Sequence, residues 1–522
     1  MSPNRSVHKA TVRAGGGMVA SQHRDAARVG AEVLARGGNA VDAAIATSFA
    51  LNVFEPWMSG IGGGGLMVIR EPSGAVHALD CGMASPAALD PADYPVVPGV
   101  ANDLFPWAAV EGDRNVTGPL AVAVPGLVAG LGLAHERFAR LGWAALVAPS
   151  VALSETGLPV DWYATMMIGH AARGLARWGA TAERFLPGGH PPAIPLAPGV
   201  DSFLPAPALT RTLRMLAEDG AEGFYRGRLA DLIARDAASV GARLTADDLA
   251  GYRARMQAPL EIGYRTATIW ATPELSAGPT LADTLGRMQA GFTPAAAPDA
   301  GSYAATAAAL KAAYARRLAE MGDVEGGRSI GCTSHLSVID RDGMAVALTQ
   351  TLLSVFGSMV TLPQTGILMN NGIFWFDPEP GRPNSLGPSK RCLANMCPVV
   401  LQTGDGRLAA IGASGGRRIL PAVTQLTSFL TDFGMDLETA LHQPRIDMSG
   451  GPAITADPRL PDDTLTALAA VAPVIPAHCA VFPHPYANIS AVTRRDGQCE
   501  GGSEPVLPWG DAVAEAKVAP AA

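Results

Sequence analysis

Charged side chains are scarce in this chain: Asp, Glu, Lys and Arg make up 16% of its 522 residues, and basic residues form no run. With a formal net charge of −8, it lacks the cationic surface that a nucleic acid or an anionic membrane requires, so neither partner is expected. Cysteine is sparse as well, limited to Cys81, Cys332, Cys392, Cys397, Cys479 and Cys499. Only Cys392 and Cys397 lie close together, and neither their spacing nor their neighbours form a metal set. No metal and no cofactor is expected. Long apolar runs are also missing. The most apolar stretch, Leu120 to Ala134, is broken by Pro125 and three glycines and is too short to span a bilayer. Met1 to Ala10 carry no apolar core of the secretory kind, so a cytoplasmic protein is expected.

What is present points to a well-packed globular protein. Apolar residues make up 48%, and the 59 glycines and 42 prolines are scattered through periodic segments, where they read as turns. The length allows one large core or two to three domains, and no internal repeat is visible. Residues 24–52 have amphipathic helical spacing, interrupted by Gly37-Gly38-Asn39, which predicts two helices. Leu66–Arg70 and Val76–Asp80 read as paired strands, Gly126 to about Gly227 as mostly helical, Arg265–Ala271 as a strand, and Asp299–Met321 as an alanine-rich helix. Gly322 to Gly331 reads as a loop that could present a cleavage point. Hairpins without βαβ spacing predict an α+β fold of stacked antiparallel sheets covered by helices.

The richest segment is Gly331-Cys332-Thr333-Ser334-His335 through Asp340, then Arg341-Asp342-Gly343, then Met344 through Thr351. Two alternating β-branched runs around Asp-Gly predict a hairpin. A three-residue loop with Gly343 left-handed sets Asp340 against Met344. Counting outward, Thr333 then lies opposite Thr351. A threonine at a strand start beside a second hydroxyl suits a nucleophile whose base is its own α-amine. That amine exists only after cleavage between Cys332 and Thr333. None of the ten histidines sits in a triad pattern; His335 shares the Thr333 face and is expected to be structural, with a place in processing. Further on, Gly412-Ala413-Ser414-Gly415-Gly416-Arg417-Arg418 follows an apolar run, and the adjacent amides of Gly415 and Gly416 suit an oxyanion hole.

The order Thr-Ser-His, second threonine, Asn370-Asn371, Ser-Gly-Gly resembles the γ-glutamyltransferase family of N-terminal-nucleophile hydrolases. Upstream, Gly17–Ser21, Gly37–Ala44, Gly60–Gly65, Pro125–Gly130 and Leu244–Leu249 are similar to that family's large-subunit signatures, so the resemblance spans nearly the whole chain. It implies a four-layer αββα sandwich. It also implies a proenzyme cut into a large chain, 1–332, and a small chain, 333–522, that remain associated within one domain. A further homo-oligomer is compatible with it.

The donor pocket departs from the family pattern. The resemblance implies an arginine where Gly82 stands, a serine pair where Ala394 and Asn395 stand, an acidic residue where Trp375 follows Asn371, and an asparagine where Leu353 stands. The family's lid also looks shortened, at Gly381–Pro388. Each charged hydrogen bond lost is worth about 1.5–3 kcal/mol, roughly tenfold or more in affinity. The expected enzyme is therefore an amidohydrolase or acylase for a small-molecule amide, with an acyl or oxamate-like donor and possible acyltransferase side activity. Cephalosporin acylase-like and oxamate amidohydrolase-like branches are the natural comparisons. A small carboxylate donor would need Arg391, Arg417 or Arg418, and Asp377 could replace one lost contact. The alternative is a γ-glutamyl hydrolase or transferase acting on glutathione-like substrates.

Overall fold

A computed structural model describes residues 7–100, 107–197, 199–320 and 332–518, leaving the side chain of Cys332 undescribed. The predicted loop from Gly322 to Gly331 falls outside the described residues. Two seven-stranded antiparallel sheets stack at the centre. One orders its strands Val12–Gly15, Gln498–Ser503, Asn488–Arg495, Leu408–Ser414, Val399–Gln402, Ala267–Ala271 and Leu260–Tyr264. The other runs Asp511–Ala514, Met18–Ser21, Cys332–Ile339, Ala345–Leu353, Gly64–Arg70, Val76–Cys81 and Arg255–Gln257.

Three apolar clusters separate four layers. Leu336, Val338, Val346 and Leu348 pack outward on the helices Arg24–Ala35, Ala40–Phe54 and Leu127–Phe138. Ile339, Ala345 and Ala347 face inward, meeting Val400, Leu408, Ala410 and Val492 of the other sheet. Ile269, Leu401, Ile411 and Ile489 pack outward on Gly278–Gly291, Ala300–Glu320 and Ile419–Thr431. Alternate residues of each central strand thus serve two different cores, which is why these strands read as alternating or continuously apolar. The layers are α, β, β, α.

The hairpin forms as its turn chemistry dictates. Asp340 N–H donates to the Met344 carbonyl at 3.0 Å, and Gly343 has φ 87°. Asp340 Oδ1 accepts from the N–H groups of Asp342 and Met344, and Oδ2 from that of Ala40, which ties a helix start to the hairpin turn. Asn39 caps that helix, with Asp42 completing a capping box. One expectation needs correcting. The helix Arg24–Ala35 is amphipathic, but every residue of Ala40–Phe54 is buried. The second helix is covered by the sheet on one side and by Arg24–Ala35 and Trp143–Thr156 on others, so it needs no polar face.

Candidate active site

The hairpin brings Thr333 and Thr351 together, with Thr333 Oγ1 donating to Thr351 Oγ1 at 3.4 Å and both residues buried. The regular register runs from Ile339↔Ala345 to Ser334↔Gln350 and then slips, so that Cys332 pairs with Leu353. Thr333 therefore sits at a bulge, which frees the strand start from the regular ladder. Thr351 Oγ1 also accepts the Leu353 N–H at 2.8 Å. Leu353, Phe356 and Met359 have φ of 87°, 61° and 62°, a run of left-handed non-glycine residues of the kind that gathers at functional sites. The glycines Gly60–Gly65 have a structural task here: a Cβ on Gly63 would lie 2.2 Å from the Thr351 carbonyl oxygen.

The glycine turn comes from the facing sheet. A Cβ on Gly412 would lie 2.3 Å from His335 Cε1, so the two strands touch where histidine meets glycine. Ser21 pairs with Leu336, so Gln22 lies level with His335, and its hydrogen bond to Ser414 places Ser414-Gly415-Gly416 toward the Thr333 end. Gly415 has φ 140° and Gly416 φ 60°, and a Cβ on Gly415 would meet Ala487 Cα at 2.9 Å. Gln22 Nε2 pins the turn by donating to Ser414 Oγ. Among the described residues, neither glycine N–H donates a hydrogen bond to protein. Two adjacent, free amides at a turn that only glycine fits are what an oxyanion hole needs.

His335 is fully buried, its ring nitrogens meeting Thr349 Oγ1 at 2.8 Å and Ser337 Oγ at 3.0 Å. Desolvation pushes it down to about 3, so it is neutral and its contacts are those of a structural residue.

Of the residues expected at the donor pocket, Leu353, Trp375 and Ala394 share one buried apolar cluster with Phe374, Phe376, Leu386 and Cys392. Phe374 and Phe376 are fully buried core residues, and Trp375 is buried with its Nε1 unbonded. Asn371 anchors the loop after the hairpin: Nδ2 donates to the Val116 carbonyl and Ser354 Oγ, and Oδ1 accepts from Ser354 N–H. Gly82 donates its N–H to Asp80 Oδ1, and its carbonyl accepts from Arg391. Arg391 is committed to Asp80, Gly82, Tyr252 and Arg253, while Arg418 binds the His484 carbonyl and lies 3.9 Å from Asp447. Arg417 is buried. Asp377 Oδ1 accepts the Glu379 N–H, and the Asp377 backbone pairs with Asn384 and Leu386 in the 381–388 segment.

Sequence reasoning missed two buried charged residues. Arg317 donates to the carbonyls of Ser276 and Ala394, to Thr280 Oγ1 and, at 3.2 Å, to Asn395 Oδ1, with no carboxylate among these partners. Because Asn395 Oδ1 faces Arg317, its Nδ2 is turned away and is left buried without a partner. Glu55 lies behind Thr333, accepting from Ser334 Oγ at 3.2 Å. Its signal in the sequence was an acidic residue closing the uncharged run from Ala43 to Phe54.

A four-layer αββα sandwich with a hydroxyl pair at a strand start and a glycine turn opposite defines the class of N-terminal-nucleophile amide hydrolases. The family model described as Gamma-glutamyltranspeptidase matches residues 26–331 and 326–513, and the chain belongs to that family. It is 33% identical over 492 residues to the Acylase ACY 1 proenzyme of Pseudomonas sp. (strain SE83), covering 87% of this chain and 86% of that one. To the Glutathione hydrolase proenzyme of Bacillus subtilis (strain 168) it is 29% identical over 511 residues, covering 87% and 84%. The crystal structure of cephalosporin acylase from Bacillus halodurans superposes with a TM-score of 0.83 at 27% identity, covering 98% of each chain. The protein is an amide-bond hydrolase or transferase of the acylase-like branch. Among the described residues no group of His, Cys, Asp and Glu could hold a metal, and no helix is long and apolar enough to cross a membrane.

Proposed function

We propose that this chain cuts itself between Cys332 and Thr333 and that the freed Thr333 is the nucleophile of an acylase. The observation that carries this reading is the Thr333–Thr351 hydroxyl pair at the bulged start of the central hairpin. In the precursor, Thr333 Oγ attacks the Cys332 carbonyl carbon. The C–N bond breaks to give an ester, and water hydrolyses it to a Cys332 carboxylate and a Thr333 amine. In turnover the amine takes the Thr333 hydroxyl proton while Oγ attacks the substrate acyl carbon. The Gly415 and Gly416 amides support the oxyanion. The proton passes to the departing amine, and water then resolves the Thr333 ester.

The wall of Leu353, Trp375 and Ala394, with Gly82 in place of a cation, supports an acyl donor other than γ-glutamyl. The γ-glutamyl reading has one observation in its favour: the Arg317 guanidinium beside Asn395, which has no carboxylate partner among the described residues, suits a carboxylate on the donor. The deciding measurement is kcat/KM on the cut protein for a γ-glutamyl amide against glutaryl, aromatic acyl and oxamic amides. The expected result is at least about a tenfold preference for one of the latter. A wide preference for γ-glutamyl would refute it and hand the α-carboxylate to Arg317 and Asn395.

A further inference from the structure

Behind Thr333, on the helix-facing side of its strand, runs a buried chain of polar groups that the chemistry above does not use. Ser48 fixes the Gln350 amide: its hydroxyl donates to Oε1, and its carbonyl accepts from Nε2 at 3.4 Å. Gln350 Nε2 also donates to Ser59 Oγ at 2.9 Å. Ser59 in turn donates to Ser334 Oγ at 3.1 Å, and Ser334 to Glu55 Oε2 at 3.2 Å. Because the Gln350 amide is oriented by Ser48, the direction of every later bond follows, and the chain of donors terminates on the Glu55 carboxylate.

Glu55 is 1% exposed, where the helix Ala40–Phe54 ends. Ser334 from the hairpin strand donates to its carboxylate, Ser59 and then Gln350 follow behind Ser334, and the Met58 and Ser59 N–H groups donate to the Glu55 carbonyl. Among the described residues no cation pairs with it. His23, stacked on the adjacent Phe54, is kept neutral by burial, pushed down to about 4. An ionised carboxylate is costly in such a place unless a positive charge lies near. Cleavage creates one on the residue next to Ser334.

We propose that Glu55, acting through Ser334, is a positioning residue for the nucleophile: it holds the strand start and stabilises the ammonium formed when the Thr333 α-amine takes the hydroxyl proton. This rests on Thr333 being the nucleophile. Glu55 then plays the part of the third member that orients and supports the base in other nucleophile–base sets. Desolvation pushes Glu55 up to about 7, so it is ionised on the alkaline side and its support fades as pH falls through neutrality.

The test is the pH profile of kcat/KM for wild type, Glu55→Gln and Glu55→Asp, each checked for cleavage by mass spectrometry. Removing the anion lowers the proton affinity of the amine. The ascending limb of Glu55→Gln should move about half a unit or more toward acid, with a plateau about tenfold lower, and Glu55→Asp should recover part of both. A limb that stays in place overturns the proposal. So does a folded Glu55→Gln chain that remains uncut, because cleavage precedes the free amine. If Glu55→Gln does not fold, Ser334→Ala must show the same displacement, and a stationary limb there overturns the proposal equally. A wild type that stays uncut sinks the Thr333 reading, whereas a cut, active wild type with an unmoved variant sinks this inference alone.

Discussion

Thr333→Ala is expected to give a single, folded, inactive chain, where wild type gives two, Met1–Cys332 and Thr333–Ala522. The methyl side chain fits the space, and the strand keeps its pairing from Ser334 to Ile339 with the facing hairpin arm, so folding should survive. What is lost is the only atom proposed to form a covalent bond in both processing and turnover. Residual turnover should fall to background, a loss of several orders of magnitude. Thr351→Ala should be milder, because its hydroxyl accepts from Thr333 and from Leu353 N–H without entering the bond-making step. Mass spectrometry and single-substrate kinetics on the two variants separate the roles. Equal loss of processing and turnover in both would show that the division is wrong.

Gly415→Ala should be the next most damaging change. Its backbone at φ 140° and the 2.9 Å approach to Ala487 Cα leave no room for a methyl group, so the turn must move. Moving it displaces two adjacent amides from where negative charge develops, and one lost donor of this type costs about 10²–10³ in kcat. Precursor cleavage should slow as well, since it passes through the same kind of oxyanion. The check is kcat on whatever fraction becomes cut, with thermal unfolding measured alongside. A variant within a fewfold of wild type would remove Gly415 from the oxyanion site.

The hairpin was legible because its information is local. Asp340, Asp342 and Gly343 set the turn, and counting outward carried the register as far as Ser334 and Gln350, one pair short of the expected Thr333–Thr351 pairing. The bulge was not legible, because it depends on how the segment from Leu353 to Met359 folds back and on Gly63 lying against Thr351. The helices before the hairpin were read correctly in place, but the burial of Ala40–Phe54 on all sides is a tertiary outcome that no periodicity encodes. Glu55 and Arg317 were overlooked for a common reason: a charged residue near a helix end reads as solvent-exposed unless the neighbouring layer is known. Asn371 shows the converse. Its motif was visible, yet its amide is spent holding Val116 and Ser354.

The interleaving of the two sheets has a consequence for the life of the molecule. The strand Met18–Ser21 lies between Asp511–Ala514 and Cys332–Ile339, and Ala267–Ala271 pairs with Val399–Gln402, so each sheet draws strands from both sides of the 332–333 bond. On the proposed cleavage, the uncut precursor would hold this weave as one continuous chain. After it, neither piece could complete a sheet alone, and recovery would become a second-order search between two partners with exposed strand edges. Maturation would then be a one-way gate in folding as well as in chemistry. The cut form would then be held by the height of its unfolding barrier, having given up the single-chain route by which it was made.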